Sequence, residues 1–419
     1  MSETIAIIGA GIVGISTAIW LQRDGHDVIV LDKAGPAEGA SYGNAGVLAS
    51  CSIVPVTAPG LIQKAPGMVL NPDSPLFLRW SYLPKLLPWL TRYLSHCSPE
   101  ETRRIAAALN LVIGDSLDQH LQLARGTRAE KWIAPSDYVF AYADRKAYEA
   151  DAFAWAIRKA EGFKWDEMDR DAFKAYDPAF AGTSGPGSIG FAARLGDHGH
   201  IKDPGAYVKD LARHFEEHGG SVRKAEVLDF VETDGKLSAV ATSDGLVACS
   251  KAIVATGAWS GKLTRKLGLK IPLESERGYH IELYDSSIMP KVPTMVASGK
   301  FVATPMDGRL RCAGIVEFGG LDAPPSEKPF ELLLKRITGA LPGLTWSRME
   351  KWMGHRPAPS DSIPLIGEVP GRPGTFTAFG HHHVGLTGGP KTGRIIADMI
   401  SNRRSNIDLK PFRPDRFAT

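Results

Sequence analysis

The opening of the chain alternates apolar runs with glycine-rich turns, a pattern that predicts a strand, a tight turn, a helix and a second strand. Residues 4–8 form a short apolar run, and a second run over residues 28–31 ends at Asp32. The residues between the two runs have helical spacing that stops at Gly25. We therefore expect a β-α-β unit at the start of the chain.

Further apolar patterns predict helices and strands along the rest of the chain. Helical spacing covers residues 100–125, 148–159, 206–218 and 391–400, and strand-like runs cover residues 225–231, 237–242, 246–254, 278–283, 300–304 and 309–316. At 419 residues, the chain exceeds one ordinary hydrophobic core. We expect two domains whose segments interleave along the sequence.

Three glycines give the first turn its chemistry. Gly9, Gly11 and Gly14 have the spacing G-x-G-x-x-G. The first permits the turn out of the strand, the second lets a pyrophosphate approach the backbone, and the third lets helix and strand pack closely. The helix then points free N–H groups at the phosphates. Asp32, eighteen residues past Gly14, can accept hydrogen bonds from a ribose, which favours FAD or NAD over NADP.

Composition excludes several classes of partner. The net charge is only +3 and no basic run is interleaved with aromatic residues, so we expect no nucleic-acid partner. The four cysteines, Cys51, Cys97, Cys249 and Cys312, form no C-x-x-C pair, which is typical of reduced cysteines in a cytoplasmic protein. The nucleotide-binding strand follows Met1 so closely that we expect no signal peptide.

Residues 76–94 are apolar and aromatic but are interrupted by charged residues and prolines, so they cannot span a bilayer. Two interpretations remain open for this segment. It could contact a membrane peripherally, on the inner face, through aromatic residues that lie beside basic ones. The favoured interpretation is a packed surface helix of the second domain.

Several segments of small residues resemble a known family. Residues 41–46 contain Asn-Ala-Gly, residues 255–260 are Ala-Thr-Gly-Ala-Trp-Ser, residues 354–357 are Gly-His-Arg-Pro, and residues 379–390 form a closing glycine-rich run. With the opening glycines, and in this order, they resemble the D-amino-acid oxidase superfamily of FAD-dependent oxidoreductases over essentially the whole chain. The resemblance is nearest to the D-amino-acid dehydrogenase branch, with glycine and sarcosine oxidases as further relatives.

The resemblance implies a fold and a domain organisation. It implies an α/β protein in which a Rossmann-like FAD-binding domain is interleaved with an α+β substrate domain built on a large mixed sheet. The FAD-binding domain would comprise residues 1–75, 191–271 and 351–419. The substrate domain would comprise residues 76–190 and 272–350.

The cofactor that the resemblance implies is a tightly bound FAD. The loop at residues 41–46 would contact the pyrophosphate and ribityl chain, and the closing loop would approach the flavin ring. No cysteine lies next to Gly354, where sarcosine oxidases tether their flavin, so we expect the FAD to be non-covalent. The implied cofactor-binding residues are Gly9, Gly11, Ile12, Val13, Gly14, Asp32, Lys33, Ser41, Asn44, Ala45, Gly46, Val227, Thr256, Gly257, Trp259, His383, Gly385, Leu386 and Thr387.

Three residues are candidates for catalysis. By resemblance, Arg356 binds the substrate carboxylate, and a planar guanidinium suits that task; a structural salt bridge is the alternative. Tyr279 matches an aromatic residue that either faces the substrate or packs in the core. Consecutive histidines in an extended loop alternate in direction, so we expect no metal at His381, His382 and His383. One of the last two is instead expected to line the flavin or substrate cavity.

These features predict an enzyme that acts on CH–NH2 or CH–NH groups. Hydride transfer to flavin N5 would oxidise an amino acid, with D-amino acids favoured, to an imine that water converts into a 2-oxo acid. The electrons would pass to a quinone or another carrier. The alternatives are an oxygen-using oxidase of glycine, sarcosine, or N-methyl or cyclic amino acids, a nicotinamide-dependent dehydrogenase, and a non-catalytic flavoprotein subunit.

Overall fold

A computed structural model of the protein describes residues 4–63, 67, 71, 73–182 and 188–418. The strands, in chain order, are β1 (Ile5–Ile8), β2 (Val28–Asp32), β3 (Val47–Leu48), β4 (Leu76–Leu78), β5 (Ile133–Tyr142), β6 (Asp166–Asp169), β7 (Phe191–Ile201), β8 (Ser221–Lys224), β9 (Val227–Thr233), β10 (Lys236–Thr242), β11 (Gly245–Ala248), β12 (Lys251–Val254), β13 (Leu273–Tyr284), β14 (Thr294–Val296), β15 (Phe301–Met306), β16 (Arg309–Phe318), β17 (Arg348–Pro359), β18 (Leu365–Glu368) and β19 (Thr375–Phe379). The helices are α1 (Ile12–Arg23), α2 (Leu83–Ser95), α3 (Pro99–Ile113), α4 (Ser116–Ala124), α5 (Arg145–Glu149), α6 (Ala152–Ala160), α7 (Arg170–Tyr176), α8 (Pro204–Glu217), α9 (Ser260–Lys266), α10 (Glu327–Ala340) and α11 (Gly385–Ile400).

The opening β-α-β unit lies in a sheet with the strand order β18-β19-β12-β1-β2-β8 in the described part of the chain. All neighbours are parallel except β18 and β19. Alternate residues of β1 pack into two different cores, because helices or a second sheet cover both faces of this sheet. The carboxyl ends of β1, β2 and β12 lie side by side, at the edge where doubly wound sheets bind their ligands.

The second large sheet has the order β17-β13-β16-β15-β14-β5-β7-β3, with β4 paired to β16 and β6 paired to β7 among the described residues. Most pairs are antiparallel, but β14 with β5 and β16 with β4 are parallel. The predicted α/β architecture with a large mixed sheet is therefore confirmed. A small antiparallel sheet, β11-β10-β9, covers part of the first sheet.

Two of the predicted domain boundaries are displaced. Residues 191–201, assigned from the sequence to the FAD-binding domain, form β7 of the large mixed sheet and pair with β5. The boundary at residue 350 falls inside β17, which pairs with β13 over its whole length. Both strands belong to the large sheet because their backbone groups form hydrogen bonds there.

Three predicted elements are subdivided in the structure. The helical spacing of residues 100–125 corresponds to α3 and α4, and that of residues 148–159 corresponds to parts of α5 and α6. The strand-like run at residues 246–254 is divided between β11, in the small sheet, and β12, in the first large sheet. Apolar spacing alone does not show where one element ends and the next begins.

Helix α11 begins six residues before the predicted start at 391. Gly389, which resembles part of a loop in sequence, instead allows close contact with α1, because a Cβ on it would lie 2.9 Å from Ile12 Cγ1. Gly393 extends this contact, because a Cβ on it would lie 2.6 Å from the backbone nitrogen of Thr17. Pro390 lies inside the helix and has no N–H for the carbonyl of Leu386. His120 compensates, since its Nε2 donates to that carbonyl at 2.9 Å.

The segment at residues 76–94 forms β4, a short 3-10 helix and α2. Trp89 and Tyr93 are buried and stacked on each other, and the Trp89 indole donates to the carbonyl of Ala358 at 2.9 Å. Trp80 is 60% exposed. The structure thus favours the packed-helix interpretation. No helix in the described ranges is long and apolar enough to cross a membrane.

The contact between α1 and α11 gives a stability prediction. Gly393→Ala places a methyl group against the backbone of α1, and overpacking of this kind costs roughly 1–3 kcal/mol. Gly339→Ala in α10 is the matched control, because a Cβ there meets nothing within 4 Å. That control should stabilise the protein by about 0.5–1 kcal/mol. Chemical denaturation of both variants measures these changes, and equal stabilities would contradict the packing described.

Candidate active site

A cavity of about 1150 Å³ lies between the two large sheets. Its lining includes the turn after β1, the end of β2, the loop at residues 39–45 and the turn after β12. The same cavity continues to β13, β16 and β17 of the mixed sheet and to the first turn of α11. The elements predicted to bind a dinucleotide and those predicted to bind substrate therefore share one enclosed volume.

The glycines of the first turn have the geometry that their spacing predicts. Gly9 has φ +116°, and a Cβ there would lie 2.5 Å from the carbonyl oxygen of Ala255. A Cβ on Gly14 would lie 1.9 Å from the carbonyl oxygen of Gly9, so only glycine permits this packing of helix on strand. Gly11 lines the cavity at the start of α1. Its backbone is thus accessible to a phosphate near the helix N-terminus, and a Cβ there would lie 3.2 Å from Ser41 Oγ.

Asp32 lies at the end of β2, on the cavity wall. Its carboxylate accepts hydrogen bonds from the backbone nitrogens of Ala10 and Ala34, both at 2.8 Å, and of Gly35 at 3.0 Å. A carboxylate has about four acceptor positions, so it can still accept from a ribose hydroxyl. Ser41 Oγ accepts from the nitrogen of Ile12 at 3.0 Å and joins the second loop to the first turn.

Lys33 and Trp259, both predicted to contact the cofactor, lie together at one side of the cavity. The ammonium of Lys33 is 4.4 Å from the centroid of the Trp259 ring. That ring packs edge-on against His355 at 5.2 Å. Burial, followed by the charges of nearby Arg277 and Lys33, lowers the pKa of His355 to about 4, so this imidazole is neutral at neutral pH.

The loop at residues 39–46 is held in place by side chains of the mixed sheet. Arg311 donates to the carbonyls of Tyr42, at 3.1 Å, and Asn44, at 2.5 Å. His280 Nδ1 donates to the carbonyl of Gly43 at 3.0 Å. A Cβ on Gly43 would lie 2.0 Å from Trp352, whose ring stacks on His280. Because these carbonyls are fixed, the loop's amide groups keep their orientation toward the cavity.

Arg311 is fully buried and paired with Glu282, 2.7 Å away. Arg309 bonds the same carboxylate and also Asp203, at 2.9 Å. Burial alone would raise the pKa of Glu282, but Arg311 and Arg309 outweigh it and lower the pKa to about 2. This cluster was not predicted from the sequence. The sequence feature that could have revealed it is the presence of ionisable residues at alternate positions of β13, among apolar ones.

Arg356 projects from β17 into the other end of the cavity. Its guanidinium lies across Gly278 on the neighbouring strand, where a Cβ would be 2.5 Å from the guanidinium carbon. Its Nη1 donates to Glu276 Oε1 at 2.8 Å, and the side chain is 25% exposed. Among the described residues its Nε and Nη2 have no hydrogen-bond partner. Arg356 therefore forms a structural salt bridge and also keeps one edge free.

Glu276, which the sequence analysis missed, is buried at the centre of this end of the cavity. Its second oxygen accepts a hydrogen bond from His382 Nε2. Burial would raise the pKa of Glu276, but His382 and Arg356 outweigh it and hold the pKa well below its ordinary value. The carboxylate is thus ionised and connects the arginine to the histidine.

The three consecutive histidines have different surroundings. His381 Nε2 bonds Thr392 Oγ1 at 2.8 Å, and burial lowers its pKa to about 4. His382 has φ +51°, and its backbone nitrogen donates to the carbonyl of Pro357 at 2.9 Å. Burial lowers the pKa of His383 to about 3. Within the described residues no group of three or more potential ligands is arranged to hold a metal ion.

The structure favours the core interpretation for Tyr279. Its ring packs edge-on against Phe330 at 4.9 Å, in the core between β13 and α10. Its hydroxyl donates to Glu317 at 2.5 Å and accepts from the nitrogen of Ser326 at 3.1 Å. Both functional parts of the side chain are thus engaged by the protein, although Tyr279 also lines the cavity, and its catalytic role stays a prediction.

Most of the other predicted site residues line the cavity. Those that do are Gly9, Gly11, Ile12, Val13, Asp32, Lys33, Ser41, Asn44, Ala45, Val227, Thr256, Gly257, Trp259, Arg356, His382, His383, Gly385, Leu386 and Thr387. Gly14 and Gly46 instead serve packing, since a Cβ on Gly46 would lie 2.7 Å from the carbonyl oxygen of Ile201. All four cysteines are buried, and none is part of the lining.

The end of the cavity that holds Arg356 is also lined by apolar side chains that were not predicted from the sequence. Leu90, Tyr93 and Leu94 of α2 meet Val316 and Phe318 of β16 there. Burial, aided by the charge of Glu276, raises the pKa of Tyr93 well above its ordinary value, so its hydroxyl stays protonated. Helix α2 therefore forms a mainly apolar wall around the polar group of Arg356, Glu276 and His382.

Comparison with known proteins identifies the family. Residues 4–399 match the family of FAD dependent oxidoreductases (DAO). A D-amino-acid oxidase of Bradyrhizobium diazoefficiens is 37% identical over 420 residues, which cover 99% of this chain and 98% of the relative. A D-amino acid dehydrogenase of Paramagnetospirillum magneticum is 29% identical, over 99% of both chains.

Solved structures share the fold. The structure of an L-proline dehydrogenase from P. horikoshii has a TM-score of 0.74 at 18% identity and covers 99% of this chain and 98% of its own. A glycine oxidase from Geobacillus kaustophilus has a TM-score of 0.72 at 20% identity, with 99% of both chains covered. The chain thus belongs to the DAO family of FAD-dependent oxidoreductases, and FAD is its cofactor.

The residues present fit FAD. The bare backbone at Gly11, the carboxylate of Asp32 and the rigid loop at residues 39–46 provide the contacts that a pyrophosphate and a ribose require. The first turn of α11 opens on the same cavity through Gly385 and Thr387. That helix end places partial positive charge where negative charge would develop on a reduced flavin.

The exposed backbone at Gly11 gives a binding prediction. Gly11→Ala introduces a methyl group where the pyrophosphate should approach; its extended backbone (φ −74°, ψ 179°) allows alanine, and the new Cβ would lie 3.2 Å from Ser41 Oγ. We expect FAD to bind at least about tenfold more weakly, equivalent to about 1.4 kcal/mol. Gly261→Ala, outside the cavity in α9, should bind FAD normally. Titration of the FAD-free proteins, followed by flavin fluorescence, measures both constants; equal values would refute the predicted approach.

Proposed function

We propose that the protein uses FAD to oxidise an amino acid at its alpha carbon, with D-amino acids as the favoured class. The product is an imine, which water hydrolyses to a 2-oxo acid. The observation that carries this proposal is the free edge of Arg356 inside the cavity. The names of the two curated relatives, a D-amino-acid oxidase and a D-amino acid dehydrogenase, support the choice of substrate class.

Arg356 is suited to bind a carboxylate in one orientation. Its Nη1 is already engaged by Glu276, so a ligand would use Nε and Nη2 in a two-to-two pairing. The guanidinium rests on Gly278, and that support limits its movement. A carboxylate bound in this way would place the alpha carbon and its amino group within the same enclosed end of the cavity.

The protein's own residues position the substrate and exclude water. Arg356 fixes the carboxylate, and the apolar wall formed by Leu90, Tyr93 and Phe318 surrounds the substrate side chain. FAD supplies the acceptor for the hydride that leaves the alpha carbon. Positioning of this kind accounts for much of the rate in reactions where the cofactor provides the chemistry.

The acceptor that reoxidises the flavin is a quinone or another carrier in our proposal. Oxygen is the alternative, and the 37% identity to a protein named as an oxidase supports it. Contact with a membrane through residues 76–94 would serve a quinone, and the exposed Trp80 and Leu87 are the side chains there that could provide it. A cytoplasmic location agrees with either acceptor.

Substrate and acceptor can be tested together. The purified holoenzyme is mixed without air with D- and L-amino acids, glycine and N-methyl amino acids, and flavin absorbance is followed. We expect D-amino acids to bleach the flavin, with reoxidation by a soluble quinone faster than by oxygen. Bleaching by only glycine or N-methyl substrates, followed by rapid reoxidation in air, would support the oxidase alternative instead.

Arg356→Ala tests the carboxylate site. Loss of a charge-assisted pair in a buried site costs about 2–5 kcal/mol, so the kcat/KM for the best amino acid should fall by on the order of 10²-fold or more. Arg348→Ala, at the far end of the same strand and outside the cavity lining, should leave kcat/KM unchanged. An Arg356→Ala variant that matches the parent on every substrate would point to a non-catalytic flavoprotein.

A further inference from the structure

Glu276 and His382 form a buried pair at the substrate end of the cavity. The carboxylate uses one oxygen for Arg356 Nη1 and the other for His382 Nε2. His382 is almost fully buried, and its Nδ1 has no hydrogen-bond partner among the described residues. A buried polar atom without a partner is uncommon and calls for an explanation. Because His382 lines the cavity, a ligand can supply that partner.

The arrangement fixes the tautomer of His382. A carboxylate that accepts from Nε2 requires the proton on that nitrogen, which leaves the lone pair of a neutral imidazole on Nδ1. The same logic orients the histidine of hydrolase triads, where a buried carboxylate also stabilises the imidazolium that forms. His382 Nδ1 therefore carries a lone pair that has no hydrogen-bond partner among the described residues, on a side chain that lines the cavity.

Oxidation of an amino acid that binds in its ammonium form needs such an acceptor. The amino group of a free amino acid is protonated at neutral pH, and an ammonium nitrogen has no lone pair with which to form the C=N bond. One proton must leave before the hydride does. With the substrate carboxylate on Arg356, the amino group lies one carbon away, and Glu276 fixes both the arginine and the histidine relative to each other.

We propose that His382 Nδ1 accepts the proton of the substrate ammonium and that Glu276 is the positioning residue for both His382 and Arg356. This inference rests on the proposed function. The N–H bond breaks, its electron pair stays on the substrate nitrogen, and the proton forms an N–H bond on Nδ1. FAD would accept the hydride, with its two electrons, that then leaves the alpha carbon; the lone pair on nitrogen forms the C=N bond, and the imidazolium proton of His382 later returns to water.

The charged and titratable groups around His382 agree with this role. Glu276 on β13 is ionised and contacts His382 directly, while Arg356 on β17 is the cation on the other oxygen of that carboxylate. His383 is neutral because burial lowers its pKa to about 3. Tyr93 on α2 is protonated, because burial and then Glu276 raise its pKa. Among these four neighbours, only Glu276 carries a negative charge to stabilise the imidazolium.

The test is the pH dependence of His382→Asn in the holoenzyme. Asparagine tolerates the positive φ at this position, so the loop should fold. At pH 7 we expect kcat/KM to fall by about 100-fold, in the range of lost general-base catalysis. The deficit should shrink about tenfold per pH unit as the free amine becomes the main substrate form. His381→Asn is the matched control, and any loss it causes should not vary with pH.

Glu276→Gln tests the positioning role. Without the carboxylate, His382 loses the acceptor that keeps its proton on Nε2 and its lone pair on Nδ1. The kcat/KM deficit of this variant should therefore shrink as the pH rises, as it does in His382→Asn. A purely structural role would reduce kcat/KM by the same factor at every pH.

A binding measurement separates the outcomes. A carboxylate without an amino group, such as benzoate, should perturb the flavin absorbance of the parent and of His382→Asn with dissociation constants within about threefold, since Arg356 is intact. If no amino acid reduces the parent flavin, the proposed function fails. If amino acids reduce it but the His382→Asn deficit is the same at every pH, only the proton-acceptor assignment is overturned.

Discussion

The site depends on β13, a buried strand that carries polar side chains on one of its two faces. Along β13, Glu276, Gly278, His280 and Glu282 share a face because side chains alternate, and this face meets the cavity and the loop beside it. Glu282 holds Arg311, which fixes two carbonyls of the loop at residues 39–46, and His280 fixes a third. Glu276 and Gly278 position Arg356. A single strand therefore orders both the cofactor end and the substrate end of the site.

The buried carboxylates of β13 are stable only while each keeps its hydrogen-bonded partners. An ionised carboxylate in the interior is costly unless it is paired and hydrogen-bonded, and removal of one partner of a buried pair typically costs about 3–5 kcal/mol. Glu282 has two arginines, and Glu276 has an arginine and a histidine. The opposite face of β13 packs Tyr279, Ile281 and Leu283 into the core beside α10. A shift of the strand by one residue would therefore place the polar side chains in that core and the apolar ones against the cavity. The rigidity that results suits an enzyme whose cofactor does the chemistry and whose residues supply position.

The features that could be predicted from the sequence are those that depend on residues close together in the chain. The G-x-G-x-x-G turn, Asp32 and the first helix follow from local spacing, and the order of the small-residue segments indicates the family. Contacts between distant residues are not visible in this way: Glu276 and Arg356 are eighty positions apart and meet because β13 and β17 pair in register. The glycines before residue 391 read as a loop because their role, close packing of α11 on α1, belongs to the tertiary structure. The charged residues of β13 carried a signal, since alternating ionisable groups within an apolar strand need partners, but the sequence does not say which partners.

We propose that Glu276 holds Arg356 and His382 in place to bind the two ends of an amino acid. A crystal structure of the FAD-loaded protein with a bound carboxylate that cannot be oxidised tests this arrangement. We expect the ligand carboxylate to pair with Nε and Nη2 of Arg356 while Glu276 keeps its bonds to Arg356 Nη1 and His382 Nε2. A carboxylate bound elsewhere in the cavity, with Arg356 turned away from the flavin, would show the arrangement to be wrong.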